Sequence, residues 1–179
     1  LIYGYGKTGK SFARFLESKK QKFDIFDDNL PKYSKKIDFK KYDQILCSPG
    51  VPKNIFEKIR NINKNVLTDL DIFFQEDNSI KIGITGTNRK STTAFHLYQL
   101  FEKFDPANLI GNIGNPMLDC INTKKYSIIE LSSFQLDKMT INRLDFGILL
   151  NVETDHLDYH GNFESYKLAK ERILDAKKS

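Results

Sequence analysis

One segment of this sequence contains a lysine followed by a hydroxyl residue, a pair that is typical of phosphate-binding loops. The segment is GITGTNRKSTT, from Gly83 to Thr93, and an apolar run typical of a buried strand leads into it. In phosphate-binding loops such a lysine contacts the β- and γ-phosphates of a nucleoside triphosphate, and the next hydroxyl ligates Mg²⁺. Lys90 and Ser91 are candidates for these roles, although Arg89 stands where such loops have glycine.

The strict pattern G-x-x-x-x-G-K-[ST] fails twice, because Ile84 stands at its first glycine and Arg89 at its second. Taken alone, the segment also fits an ordinary strand-to-helix junction. If position 89 requires a positive φ, arginine costs roughly 1 kcal/mol or more, and we expect its side chain to weaken ATP binding. The alternative is that the guanidinium adds a phosphate contact.

A second glycine-rich turn lies near the start of the chain. Gly4, Gly6 and Gly9 form a G-x-G-x-x-G pattern between an apolar run and a helical pattern. Such a turn lets a phosphate approach a helix N-terminus closely. Asp27 follows Gly9 by 18 residues, a spacing at which a carboxylate often meets a ribose. The turn fits NAD or any other nucleotide diphosphate, or simply a tight turn without a ligand.

Three further polar segments follow apolar runs in the second half of the chain. They are GNIGNP at 111–116, ELSSFQL from Glu130, and NVETDHLDYHG, which contains Asp155, His156 and Asp158. Because the carboxyl ends of parallel strands share one sheet edge, we expect these segments to converge on the lysine-containing loop. Carboxylate and imidazole groups there can hold a second cation or position a substrate.

Short apolar runs alternate with helical patterns along the chain, which is the mark of parallel sheets. The fold class predicted is α/β, with two tandem Rossmann-like units of mainly parallel sheets, the second a truncated P-loop ATPase-type domain. A linker predicted at 76–79 divides a substrate-binding domain at 1–77 from an ATP-binding domain at 78–179. The predicted strands are 1–3, 22–26, 42–47, 65–67, 80–85, 107–110, 126–131 and 144–152, and the predicted helices are 8–19, 54–62, 69–75, 90–104 and 163–178.

Composition excludes several classes of function. The formal net charge of +5 comes from lysines interleaved with acidic residues, so no nucleic-acid surface is predicted. No apolar run approaches the roughly 20 residues of a membrane span, and no signal peptide is visible, so no membrane insertion is expected. Cys47 and Cys120 form no C-x-x-C pair, and a reducing cytoplasm is their simplest setting.

In combination, GTNRKS, GNIGNP, ELSSFQL and the N-V-x-x-D-H-L-D pattern resemble the Mur ligase family, the ATP-dependent amide ligases of peptidoglycan synthesis. The family's loop begins Gly-Thr-Asn, so Ile84 ceases to be a departure, whereas Arg89 remains one. The motifs are most similar to the branch that joins D-glutamate to UDP-N-acetylmuramoyl-L-alanine. The resemblance covers essentially the whole chain. It implies that the first glycine turn holds the UDP of this substrate and not NAD.

The resemblance implies a role for each matching residue. ATP would bind along the loop formed by Gly86, Thr87, Asn88, Arg89, Lys90, Ser91 and Thr92. The UDP part of the substrate would contact Gly6, Lys7, Thr8, Asp27, Asp28 and Ser48. Asn112 matches a position close to both nucleotide and substrate, and Ser132 and Gln135 match contacts to the muramoyl-alanine part.

Mg²⁺ is the implied cofactor beside ATP. Ser91 and Glu130 would hold one ion, and His156 would serve the second. Lys170 matches the lysine that is carbamylated in this family, whose carbamate is an anionic ligand at the second ion. Lys90, His156 and Lys170 are therefore the implied catalytic residues.

The implied reaction has two stages. The alanine carboxylate of the substrate attacks the γ-phosphate of ATP to give an acyl phosphate and ADP, and the amine of D-glutamate then displaces phosphate. Two cations and Lys90 would offset the repulsion between a carboxylate and a triphosphate. The family's third domain, which supplies D-glutamate contacts, has no counterpart in the sequence. We therefore expect a monomeric fragment of a longer enzyme, inactive in ligation by itself.

Three alternatives remain open from the sequence. An NAD-dependent dehydrogenase would explain the first glycine turn but neither GTNRKSTT nor ELSSFQL. A non-catalytic UDP- or nucleotide-binding module derived from a Mur-type ligase is supported by Arg89 and by the missing C-terminal part. A sister ligase, adding alanine to the sugar or glutamate to folate, is disfavoured by SSFQL because the sisters have different residues there.

Overall fold

Within residues 1–178, which the computed structural model describes, the chain forms two four-stranded sheets, each parallel throughout. The first has the order β2-β1-β3-β4 and the second β6-β7-β5-β8. The predicted α/β class with two tandem Rossmann-like units is confirmed. The strands are β1 (Ile2–Tyr3), β2 (Ile25–Phe26), β3 (Ile45–Cys47), β4 (Val66–Leu67), β5 (Ile80–Thr85), β6 (Ala107–Gly111), β7 (Tyr126–Glu130) and β8 (Phe146–Leu149).

Helices connect the strands and cover the sheets. Short 3-10 turns add to them at 39–41, 117–120 and 172–175. No helix within the described residues is long and apolar enough to cross a bilayer. The helices are α1 (Lys7–Ser18), α2 (Lys53–Ile62), α3 (Asp69–Glu76), α4 (Lys90–Phe101), α5 (Ser133–Lys138), α6 (Leu157–His160) and α7 (Phe163–Glu171).

Several predicted elements were too long. The strands predicted at 22–26 and 144–152 pair only over Ile25–Phe26 and Phe146–Leu149, because a strand lasts only as long as its neighbour offers backbone partners. The last helix gives way to a 3-10 turn at Arg172, so the prediction to residue 178 was wrong. Helices α5 and α6 were missed because they are 6 and 4 residues long, too short for a periodic pattern.

One hydrophobic cluster joins the two sheets. Phe12 and Leu16 of α1 and Phe73 of α3 belong to the same buried cluster as Met117 and Leu118 from the turn after β6. Both α1 and α3 contact that turn directly. Apolar burial is the main favourable term in folding, so this cluster keeps the first glycine turn beside the segment GNIGNP.

The segment between the sheets is a buried corner and not a flexible linker. The Asp77 carboxylate lies 3.1 Å from Lys81 Nζ, with side-chain exposures of 0% and 6%. It also accepts from the backbone N–H groups of Ser79, at 2.9 Å, and Asn122, at 2.7 Å. Lys81 donates in addition to the carbonyls of Asp77 and Ser79. The proposed domain division between residues 77 and 78 lies inside this corner.

We predict that Asp77→Ala lowers the free energy of unfolding by about 3–5 kcal/mol, because it leaves the Lys81 ammonium buried without its counterion. Urea denaturation measures this loss directly. Asp105→Ala is the control, since Asp105 pairs with Lys125 at the exposed surface and such pairs contribute little. Equal effects of the two substitutions would contradict the prediction.

Candidate functional site

Parallel pairing brings three chain segments to one edge of the second sheet. Ile84 of β5 is in register with Glu130 of β7, and Thr85 is in register with Leu149 of β8. The lysine-containing loop, 86–90, leaves β5 at this edge, and its Lys90 is the first residue of α4. The residues that follow β7 and β8 therefore flank the loop on its two sides, as the sequence predicted.

The segment after β8 clamps the lysine-containing loop. Thr87 N donates to Asn151 O at 3.0 Å, and Asn88 N donates to Asn151 Oδ1 at 2.8 Å. The Asn151 amide donates back to Asn88 O at 3.2 Å, while Glu153 N donates to Thr87 Oγ1 at 2.9 Å. Asn151 and Glu153 lie in a motif that the sequence singled out, but it gave neither a role. Their contacts fix the loop conformation.

Arg89 adopts the left-handed backbone conformation, with φ 65° and ψ 11°, at the start of α4. Position 89 therefore has the positive φ at which a non-glycine residue is strained. The strain raises the free energy of the folded chain by roughly 1 kcal/mol or more. The arginine side chain is exposed. Lys90 Nζ folds back to donate to Thr87 O at 2.9 Å, which places the ammonium over the loop at the helix N-terminus.

Glu130 has the features of a cation ligand. It is fully buried, and its Oε1 accepts from Asn112 Nδ2 at 3.0 Å. Its Oε2 is buried and meets no hydrogen-bond donor among residues 1–178. Three or more His, Cys, Asp or Glu side chains do not cluster anywhere in that range. The buried Oε2 of Glu130 suits Mg²⁺, which typically takes one or two carboxylates, with waters and substrate phosphates completing its shell. Ser91, the other expected ligand, lies exposed in the first turn of α4.

Lys170 and His156 gather around Tyr166, beside the same loop. The Lys170 side chain is buried and donates to Gly86 O at 2.6 Å, and its Nζ lies 4.9 Å from the Tyr166 ring centroid. The His156 and Tyr166 ring centroids are 6.2 Å apart. Burial, with a smaller contribution from the Lys90 charge, lowers the pKa of Lys170 to about 8. A neutral amine is thus accessible near physiological pH.

The first glycine turn borders a cavity of about 330 Å³, hereafter the turn cavity. A β-carbon at Gly9 would lie 2.0 Å from Gly4 O, so the close packing of the turn requires glycine there. A β-carbon at Gly6 or Gly50 would meet nothing within 4 Å. Protein packing does not explain these two glycines, and both leave bare backbone at the wall of the turn cavity.

The predicted UDP-binding side chains also hold the turn together. Asp27 accepts from Tyr5 N at 2.6 Å and from Asn29 N at 2.9 Å. Asp28 accepts from the Tyr3 hydroxyl, and the Ser48 hydroxyl donates to Gly4 O at 2.7 Å. Asp27, Asp28 and Ser48 all border the turn cavity. Their contact with a substrate stays a prediction.

A second cavity of about 300 Å³, hereafter the junction cavity, lies where the two units meet. The two cavities share walls at Lys7, Thr8, Pro49 and Gly50. Asn112, Ser132 and Gln135 also line the junction cavity. Ser132 and Gln135 form a reciprocal cap at the start of α5, with Ser132 Oγ accepting from Gln135 N and Gln135 Oε1 accepting from Ser132 N.

Lys138 ties the loop between the cavities to α5. Its side chain is 2% exposed, and its Nζ donates to Pro49 O at 2.6 Å and to Val51 O at 2.5 Å. The ammonium lies 5.5 Å from the Phe56 ring centroid and 5.9 Å from that of Tyr159. Burial lowers the pKa of this lysine. The sequence offered no signal for this contact, because a lysine on a short helix reads as a solvated residue.

Comparison with known proteins matches residues 84–179, more than half of the chain, to the family model described as Mur ligase middle domain. The chain belongs to the Mur ligase family. The resemblance drawn from the sequence motifs is confirmed. The match includes the lysine-containing loop, Glu130, His156 and Lys170.

Among relatives of this Mur ligase chain are two proteins named UDP-N-acetylmuramoylalanine--D-glutamate ligase. They come from Francisella tularensis subsp. novicida (strain U112) and subsp. tularensis (strain WY96-3418), and each is 40% identical over 186 residues. The alignments cover 95% of this chain and 42% of each relative. The chain therefore spans about two fifths of the length of these relatives.

A solved Mur ligase shares the fold. The crystal structure of UDP-N-acetylmuramate:L-alanyl-gamma-D-glutamyl-meso-diaminopimelate ligase from Neisseria meningitides superposes with a TM-score of 0.57. The superposition covers 97% of this chain and 66% of that chain, at 16% sequence identity. At this identity the likeness concerns the fold alone.

Asp69, the first residue of α3, also borders the junction cavity and yields a pH prediction. Burial raises the pKa of this carboxyl from 3.8 to about 6. The folded-state pKa exceeds the unfolded one, so the ionised form destabilises the fold. The penalty is absent below pH 3.8, grows as pH rises towards 6, and is complete above it. At about 1.4 kcal/mol per pKa unit, the penalty is roughly 3 kcal/mol.

We predict that Asp69→Asn unfolds with a higher free energy than the parent chain at about pH 7.5 and with an equal one at about pH 4. Urea denaturation of both proteins at the two pH values provides the test. A variant less stable than the parent at about pH 7.5 would show that the carboxylate supports the fold.

Proposed function

We propose that this chain is the substrate-binding unit and part of the ATP-binding unit of a ligase that joins D-glutamate to UDP-N-acetylmuramoyl-L-alanine. The observation that carries the proposal is the pair of adjoining cavities. Because they share walls at Lys7 and Gly50, one elongated ligand can extend from the glycine turn to the edge of the second sheet. The 40% identity to relatives bearing that ligase name supports the choice of substrate.

The turn cavity suits a nucleoside diphosphate. Bare backbone at Gly6 and Gly50 allows close approach, and the N-terminus of α1 favours an anion. Lys7 adds a positive charge at the boundary of the two cavities, where its Nζ donates to Gly114 O at 2.8 Å. Asp27 and Asp28 offer carboxylate oxygens for ribose or base donors. The sugar and its alanine would then lie in the junction cavity, near Asn112, Ser132 and Gln135.

ATP would lie along Gly86–Thr92, with the Lys90 ammonium on its phosphates. Mg²⁺, when bound, neutralises phosphate charge and polarises the γ-phosphate. Ser91 and the unpartnered oxygen of Glu130 would hold one ion. His156 and a carbamate on Lys170 would serve a second. The carbamate forms when the neutral amine adds CO₂ and releases a proton, which the lowered pKa of Lys170 favours.

In the proposed reaction, an oxygen of the alanine carboxylate attacks the γ-phosphorus, and the bond from phosphorus to the ADP oxygen breaks. The neutral amine of D-glutamate then attacks the acyl carbon. Phosphate leaves, and the amine loses a proton. Lys90 stabilises the negative charge that develops on the transferred phosphoryl group. Lys7 and the helix N-termini hold the substrates in place.

The process served would be peptidoglycan precursor synthesis in the cytoplasm, and through cell wall biogenesis also cell shape and division. The chain spans about two fifths of its relatives' length, so we expect it to bind substrate without completing the ligation. We also propose that the protein is a monomer.

We predict that the chain binds UDP-N-acetylmuramoyl-L-alanine in calorimetric titration and does not bind NAD. The reason is that the two adjoining cavities match the diphosphate and sugar parts of the UDP compound. Mg-ATP serves as a third, separate titrant. Binding of NAD without binding of the UDP compound would overturn the proposed function.

We predict that Arg89→Gly binds Mg-ATP more tightly than the parent chain, because glycine removes both the strain at φ 65° and the side chain beside the phosphates. Arg89→Ala separates the two causes, since it keeps the β-carbon and loses the guanidinium. Weaker ATP binding by both variants would show that the guanidinium contributes a contact. Failure of both to bind ATP would favour the non-catalytic module.

We predict that Lys170 is carbamylated. The chain, incubated with ¹³C-bicarbonate at about pH 8, should give a carbamate ¹³C resonance that is lost in Lys170→Gln. Lys125→Gln, at an exposed lysine, should keep the resonance. A resonance that persists in Lys170→Gln would refute the assignment, and this readout does not depend on ligase activity.

A further inference from the structure

The junction cavity is lined by a carboxylate that the proposed function has not yet used. Asp69 lines this cavity and is 6% exposed. Its Oδ1 is shielded from solvent and makes no well-formed hydrogen bond within residues 1–178. The backbone N–H groups of Leu70 and Asp69 are the nearest donors that act on this carboxyl. A buried carboxylate oxygen without a donor is costly, and natural proteins rarely keep one without a reason.

The other buried aspartates of the chain have donors at both carboxylate oxygens. Asp71 accepts from Thr68 at one oxygen and from Thr140 at the other. Asp77 accepts from Asn122 at one oxygen and from Ser79 at the other. Asp27 likewise accepts at both. Among the buried aspartates of residues 1–178, Asp69 differs in having an oxygen without such a bond.

The side-chain cap of α3 does not involve the Asp69 carboxylate. The N-terminus of α3 is already capped by the reciprocal bonds between Thr68 and Asp71. The charged groups that act most on Asp69 are Asp71, on its own helix, and Lys138, from α5. Lys138 directs its Nζ hydrogens at Pro49 O and Val51 O. Lys138 therefore donates no hydrogen bond to Asp69, and the Asp69 carboxylate at the wall of the junction cavity keeps the capacity to accept one.

We propose that Asp69 is a specificity-determining residue, whose carboxylate turns towards the junction cavity and accepts a hydrogen bond from an N–H or O–H group of the acylated sugar there. This inference rests on the proposed function, because the diphosphate in the turn cavity places the sugar past Lys7 and Gly50, against this wall. The sugar and its alanine offer amide N–H and hydroxyl donors. UDP alone ends in the turn cavity and cannot reach Asp69.

The test is calorimetric titration of the chain and its Asp69 variants with two probes, UDP-N-acetylmuramoyl-L-alanine and UDP. Asp69→Ala should bind the full compound about ten- to a hundredfold more weakly, the range for one hydrogen bond to a charged group. Its affinity for UDP should not change. Asp69→Asn retains an acceptor oxygen without the charge, so its affinity for the full compound should be intermediate.

The controls distinguish a failure of the role proposed for Asp69 from a failure of the proposed function. Asp105→Asn, at a half-buried aspartate that lines neither cavity, should bind both probes as the parent does. Parental affinity of Asp69→Ala for the full compound overturns the role of Asp69 and leaves the proposed function standing. Equal weakening towards both probes also overturns it, since it indicates a structural role. A parent chain that binds neither probe overturns the proposed function, and this inference falls with it.

Discussion

The parallel pairing of β5 with β7 on one side and β8 on the other determines where the candidate ATP residues lie. Since all three strands run the same way, their carboxyl ends open at one edge. The loop after β5 is then held by Asn151 after β8, while Glu130 ends β7. One register constraint thus positions a lysine, a carboxylate and an amide clamp that are distant in sequence.

Hydrogen-bond satisfaction separates structural polar groups from candidate functional ones. Asp77 and Lys81 are buried in a closed network that fixes the corner between the units. Glu130 and Asp69 are equally buried, but each has an oxygen without a donor in the described part of the chain. Such groups lower stability, and the fold retains them at the walls where ligands are proposed to bind.

The sequence predicted the fold class because buried parallel strands are short apolar runs, and these are visible without a structure. It could not predict where strands end, since pairing partners decide that. The lysine-containing loop and Glu130 were found by motif. Asn151, Glu153 and Asp69 received no role because their partners or cavity walls come from remote segments. Gly6 and Gly9 look alike in sequence, and only the packing around each β-carbon position distinguishes them.

Lys138 opposes any separation of α5 from the loop at 49–51. Any hinge opening between α5 and the loop at 49–51 would pull Nζ away from its two carbonyl acceptors. It would also draw the ammonium away from the ring of Phe56 in α2, and a cation–π contact would be lost along with the two hydrogen bonds. The lysine therefore holds the loop that walls both cavities, at Pro49 and Gly50, against α5. The spacing between the two cavities is then a property of the scaffold itself.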